Sequence, residues 1–236
     1  MYKICYLFLL YLMYAFLGWI VEVINSYINH HRFVNRGFMI GPYCPIYGTG
    51  VLLIIYLLKD YTGNFLVLFV LAMVICMTLE YFTSLLMEEL FNARWWDYSN
   101  RKYNINGRVC LETAIPFGIC GLLIMYVINP LFTGLLDLGS KKFIIIFGIC
   151  LMVMFFTDLI VSFLIVLKCR KAGIENYKDD TEEMNKKVRE YLINHSILTK
   201  RFAESFPNAR LKVEKFKKLH DRRLKKGNSS DITILK

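Results

Sequence analysis

Residues 143–167 read FIIIFGICLMVMFFTDLIVSFLIVL, twenty-five residues with one charged side chain, Asp158, and no proline. About 20 apolar residues in a helix cross the hydrocarbon core of a bilayer, so this stretch predicts a transmembrane helix. Working outward, residues 4–28, 65–87 and 111–132 meet the same requirement. A fifth apolar run, residues 46–58, makes only about 20 Å of helix at the usual rise and is too short alone. The preceding residues 37–45 are uncharged and supply the missing depth. Residues 38–58 are therefore expected to form one interrupted span. The expected fold class is all-α: a polytopic helical membrane protein with five transmembrane helices, the second of them interrupted.

Composition agrees. The chain has 236 residues, 56% hydrophobic and 20% charged, against about 45–50% and 25% for soluble domains. That excludes a disordered or collagen-like chain and argues against a soluble enzyme. Residues 1–167 carry ten Lys/Arg and nine Asp/Glu, whereas residues 168–236 carry nineteen and ten. Nearly all of the net charge of +10 thus lies in the last third. The division expected is a transmembrane domain, residues 1–167, and a basic helical cytoplasmic tail, residues 168–236. The first span is expected to be retained, because it exceeds the about 7–15 apolar residues of a signal peptide, holds Glu22 and lacks a small-residue cleavage pattern.

Lys and Arg near helix ends favour the cytoplasm. Arg32, Arg36, Arg94, Arg101, Lys102, Arg108 and the tail fall on one set of flanks, with Lys3, Lys59, Lys141 and Lys142 on the other. Five spans then put the N-terminus outside and the C-terminus in the cytoplasm of a cell membrane. The seven cysteines show no CxxC pair and read as small apolar filler. No metal site and no cofactor is expected.

An ionisable group deep in a bilayer costs at least about 2.5–3.5 kcal/mol and usually faces a partner or a wet cavity. Glu22 and Glu80 come about 9 and 10 Å from the cytoplasmic ends of their helices, and Asp158 about 14 Å. Glu112 opens its helix at the cytoplasmic mouth. All four fall in the inner half of the bilayer, each with polar neighbours on its own face. Arg36 and Arg108 lie at the two cytoplasmic re-entry points. Two readings stand: ion pairs that fix helix packing, or a polar cavity that binds a solute. Glu112 also suits the first turn of a helix as a complement to its macrodipole.

Two stretches read alike. Glu22 is followed by Asn35-Arg36-Gly37, Pro45 and Gly48; Glu80 is followed by Asn106-Gly107-Arg108, Pro116 and Gly118. Such a pattern describes a repeated helical hairpin, an arrangement in which transporters place their site between the halves. The prolines and glycines of residues 41–45 interrupt the helix, and backbone freed at membrane depth must pack against protein or line a cavity. Tyr43 sits in that interruption. Residues 95–98, Trp-Trp-Asp-Tyr, read as an interfacial anchor or an aromatic ligand platform.

These residues carry a resemblance. Leu17-Gly18-Trp19 with Glu22, residues 33–38 (FVNRGF), residues 41–48 (GPYCPIYG), residues 95–99 (WWDYS) and residues 104–112 (NINGRVCLE) resemble the bacterial family described as "putative ABC-transporter permease (type IV)". The resemblance covers roughly residues 5–165 and leaves the tail out. It implies a small multi-pass protein of the bacterial cytoplasmic membrane and brings no catalytic residue with it.

In the tail, residues 180–206 read as a helix that Thr181 caps and Pro207 ends. Residues 210–226 place Leu211, Val213, Phe216 and Leu219 among many Lys and Arg. A basic amphipathic helix reads as membrane-surface binding, so anionic lipids of the inner leaflet are the expected partner and nucleic acid is not. Three functions follow, in order. The first is a transport component. The chain has no Gly-x-x-x-x-Gly-Lys-[Ser/Thr] loop, so ATP hydrolysis would fall to a separate ATPase subunit, and five spans suggest a homodimer or larger complex. The second is a scaffold or regulator that recruits a partner through the tail. The third is an enzyme acting on a lipid-linked substrate, though no catalytic residue stands out. The substrate-binding set is Glu22, Arg36, Tyr43, Glu80, Asn106, Arg108, Glu112 and Asp158.

Overall fold

The computed structural model describes residues 1–31, 35, 37–91, 93–175, 190, 193–194, 196–205 and 210–211. Among them the helices are α1 (Tyr2–His30), α2 (Pro45–Leu58), α3 (Phe65–Phe91), α4 (Leu111–Leu123), α5 (Asn129–Asp137) and α6 (Lys141–Glu175), with a short helix at Ile197–Ser205. Four stretches are long and apolar enough to cross a membrane: Tyr2–Ile28, Phe65–Phe91, Leu111–Asp137 and Lys141–Lys168. The expected fifth, α2, has 14 residues, about 21 Å of helix, and residues 37–44 before it are not helical. Pro45 opens α2, where its missing N–H is no loss because a first-turn amide has no intrahelical partner.

The third long span runs through two prolines, Pro116 within α4 and Pro130 at the start of α5. Ile124–Ile128 form a π turn between α4 and α5, just before Pro130 at the start of α5. Pro130 has no N–H to give the preceding turn, and one wider turn accommodates the gap without ending the helix.

The chain divides into two compact units. One comprises Met1–Leu85 with Asp97–Ser162, the other Leu86–Trp96 with Phe163–Lys236. In the first, Ile54, Leu58, Leu68, Ala72, Leu122 and Met125 form one buried cluster, and Leu10, Tyr14, Val51 and Ile124 another. Many large apolar side chains lie outward on the long helices, among them Phe65, Leu66, Val153, Met154 and Ile160. That outward face suits lipid rather than water.

The second unit holds the ion pair of Arg94 with the buried Glu88, at 3.4 Å. Phe91 packs edge-on against Trp95 and Phe163. Ala93–Arg94 pair antiparallel with Arg210–Leu211. The expected helix over residues 210–226 is therefore corrected at its start: its first two residues are extended, and the rest lies outside the described residues. Of the expected helix at 180–206, the described residues are helical at 190, 193–194 and Ile197–Ser205, and Ser196 is not; Thr181 lies outside the described residues.

A hairpin joins Asn104–Ile105 to Val109–Cys110. The Arg108 amide donates to the Ile105 carbonyl at 3.0 Å, and Asn106 and Gly107 both have positive φ, 53° and 66°. Asn-Gly suits such a turn because Asn tolerates and Gly freely adopts the left-handed region. In the sequence this one dipeptide marks the small sheet.

Candidate functional site

The intramembrane acids sit in two kinds of surroundings. Glu22 on α1 accepts a hydrogen bond from the Tyr47 hydroxyl of α2 at 2.6 Å. Glu80 on α3 accepts one from the Tyr98 hydroxyl at 3.2 Å. The two glutamates lie close enough for each other's charge to be felt, and Tyr47 and Tyr98 each sense both. Glu80 is buried, and its second oxygen, Oε2, has no hydrogen-bond partner.

Tyr98 is held by the hairpin. Its amide donates to the Gly107 carbonyl at 2.7 Å, and its carbonyl accepts from the Arg101 amide at 2.8 Å. The Gly107 amide in turn donates to the Asn104 side chain at 2.9 Å. The Asn-Gly turn therefore sets the position of the phenol that meets Glu80. Burial first, then the Glu80 charge and hydrogen bond, and finally Cys110 and Glu22, raise the Tyr98 pKa above the ordinary tyrosine value. The phenol remains a donor at neutral pH.

Asp158 on α6 is different. It accepts from the Ile40 amide at 3.0 Å, the Gly41 amide at 2.7 Å, the Tyr43 hydroxyl at 2.6 Å and the Ser162 hydroxyl at 2.9 Å. Residues 37–44 are irregular backbone, and their buried amides need acceptors from outside the segment. Asp158 serves two of them, and the Ala15 carbonyl of α1 takes the Cys44 amide at 2.9 Å. Asn35 completes the clasp, accepting from Trp19 Nε1 at 2.6 Å and donating to the Ile40 carbonyl at 3.0 Å.

Of the residues expected to bind substrate, Glu22 and Glu80 lie within electrostatic reach of each other, and Asp158 accepts from Tyr43. Arg108 donates to Ser84 at 3.1 Å and lies over the Tyr81 ring at 5.7 Å, and Asn106 donates to the Tyr81 hydroxyl at 2.9 Å. Glu112 occupies the exposed first turn of α4 and pairs with Arg101 at 2.9 Å. Arg36 lies outside the described residues. Tyr47 and Tyr98, absent from that set, are the groups that touch the two glutamates. Their only sequence signal is that each follows an acid-bearing helix, which many tyrosines do.

The repeated pattern has matching contacts. Tyr11 precedes Glu22 by eleven residues, and Phe69 precedes Glu80 by eleven. A Cβ on Gly48 would lie 2.7 Å from the Tyr11 carbonyl oxygen, and one on Gly118 would lie 2.5 Å from the Phe69 ring. Each glycine lets its helix approach the acid-bearing helix at the same distance from the acid. The asparagines correspond too: Asn35 bonds Trp19 and Asn106 bonds Tyr81, both aromatics within one turn of their glutamate.

The model of the family described as "Putative ABC-transporter type IV" matches residues 9–163. The chain belongs to this family. The matched region includes both hairpins, Glu22, Glu80 and Asp158, and excludes the basic tail. Searches of curated proteins and of solved structures find no match.

Proposed function

We propose that this family member is the membrane-embedded component of a transporter, with its solute site at the cluster of Glu22, Tyr47, Glu80 and Tyr98. The observation that supports the reading is a pair of acids, one from each of two similar hairpins, within electrostatic reach of each other. Each takes a tyrosine hydroxyl from a different segment. Substrate sites of transporters commonly sit between structural repeats near interrupted helices, and residues 37–44 are such an interruption.

In this reading α2 with residues 37–44 forms a fifth crossing, the N-terminus is outside and the site lies in the cytoplasmic half of the cell membrane. Arg108 and Asn106 fix the Tyr81 side of the cluster. Tyr43 and Asp158 hold the interrupted segment in place, and Glu112 lies at the rim. ATP hydrolysis belongs to a separate subunit, and a homodimer completes the path. Basic residues near an anionic leaflet contribute about 1 kcal/mol each, so the tail rests on the inner leaflet.

Co-purification from the native membrane, followed by ATPase measurement in liposomes, tests this. An ATPase subunit should accompany the chain, and its turnover should respond to solute. The Glu22→Gln/Glu80→Gln double variant should keep the assembly and lose the response. A partner-free chain whose double variant supports growth as wild type does would overturn the transport reading. Deleting residues 168–236 separates it from a scaffold: a scaffold loses partner capture, a transporter keeps its solute response.

A further inference from the structure

Glu80, like Glu22, accepts a single hydrogen bond among the described residues, and it is the more deeply buried of the two. Tyr98 holds Oε1, while Oε2 is closed off and receives no hydrogen bond. The whole residue is 9% exposed. Its neighbours can be named element by element. Cys76 and Ser84 flank it on its own face of α3. Glu22 approaches from α1, and Tyr47 from α2 donates to Glu22 rather than to Glu80. Tyr98 comes from the loop before the hairpin. Arg108, the hairpin's basic side chain, is bonded to Ser84 and covers Tyr81.

Among the described residues no group of three His, Cys, Asp or Glu side chains is placed to hold a metal ion. Oε2 has no open surface at which a larger ligand could sit. A dry carboxylate with an unbonded oxygen is far costlier than the neutral acid, and two neighbouring carboxylates resist ionising together. A proton requires no cavity.

We infer that Glu80 holds one exchangeable proton on Oε2, with Tyr98 as the positioning residue that fixes the opposite oxygen. Uptake forms one O–H bond on Oε2 as hydronium becomes water, and release reverses it. The inference rests on the cluster and on no particular solute, so it can fail while the transport reading survives, and the reverse.

Infrared titration of the full chain in lipid nanodiscs, in H2O and D2O, reads the protonated carboxyl directly. At neutral pH a carboxylic-acid carbonyl band should be present, shift in D2O and be absent from Glu80→Gln. Glu22→Gln, which removes the neighbouring charge, should lower the pH at which the band is lost by about one unit. Tyr98→Phe, which removes a donor to the ionised form, should raise it. No band at neutral pH, a band that survives Glu80→Gln, or an unmoved midpoint in both other variants would overturn the proposal. Should Glu80→Gln fail to fold, the Glu22 and Tyr98 variants decide alone.

Discussion

Asp158 and Glu80 are both acids in apolar helices, and their surroundings differ in kind. Asp158 takes four hydrogen bonds, two from backbone amides of the irregular segment and two from hydroxyls. Glu80 takes one, at 3.2 Å. A buried charge is tolerable when donors converge on it and costly when they do not. Asp158 is accordingly a fastening for residues 37–44, which cannot bond to themselves as a helix does. Glu80 has bonding capacity that the fold leaves unused, and the roles proposed for the two acids rest on that difference.

The largest effect expected is at the fastening. Asp158→Ala leaves two amides and two hydroxyls without their acceptor, which should lower stability by on the order of 2–4 kcal/mol. Glu80→Gln, nearly the same volume, should change it by about 1 kcal/mol at most. Unfolding in mild detergent measures both. Equal losses would erase the distinction between the two acids.

Next come the glycine contacts that the hairpins share. Gly48→Ala and Gly118→Ala should each cost about 1–3 kcal/mol through overpacking. Gly48→Ala should be the worse of the two, because its clash involves the Tyr11 backbone as well as the ring. The same unfolding assay ranks them, and a neutral Gly118→Ala would break the correspondence between the hairpins.

Smaller effects follow at the phenols. Tyr47→Phe and Tyr98→Phe should each cost about 1 kcal/mol, with Tyr47 the larger because its bond is shorter, 2.6 Å against 3.2 Å. Tyr98 adds a pH signature. Its folded pKa is raised above the ordinary value, so its contribution is complete below pH about 10 and declines as alkali begins to ionise the unfolded chain. Stability of Tyr98→Phe, followed against pH, should decline less steeply there than wild type.

The smallest effect is at the surface. Arg101 and Glu112 are well exposed, so Glu112→Gln should cost under about 1 kcal/mol and less still in high salt. A thermal melt at two salt concentrations checks it.

The sequence made the long helices legible because a bilayer imposes a length and a composition that a single window reveals. Four such helices stand where the apolar runs predict them, with ends displaced where polar flanks such as residues 168–175 continue the helix. The corresponding hairpins were readable from the acid, asparagine, proline and glycine order. Tyr47 and Tyr98 were not, since nothing local distinguishes a tyrosine that meets a carboxylate from one that anchors an interface. The Asn106-Gly107 turn was available as a signal and points, through Gly107, to Tyr98.

By itself, then, the sequence determined that this chain is helical, apolar in its first two thirds and provided with acids where acids are costly. Hydrophobic run length and charge are local properties, and local properties survive in one dimension. Only the tertiary structure decided which acid is satisfied and which is not, because that depends on donors arriving from residues as remote as Ile40 and Gly41 for Asp158. Hydrogen bonding is short-ranged and directional, so the same carboxyl group becomes fastening or spare capacity according to what the fold sets within 3 Å of it.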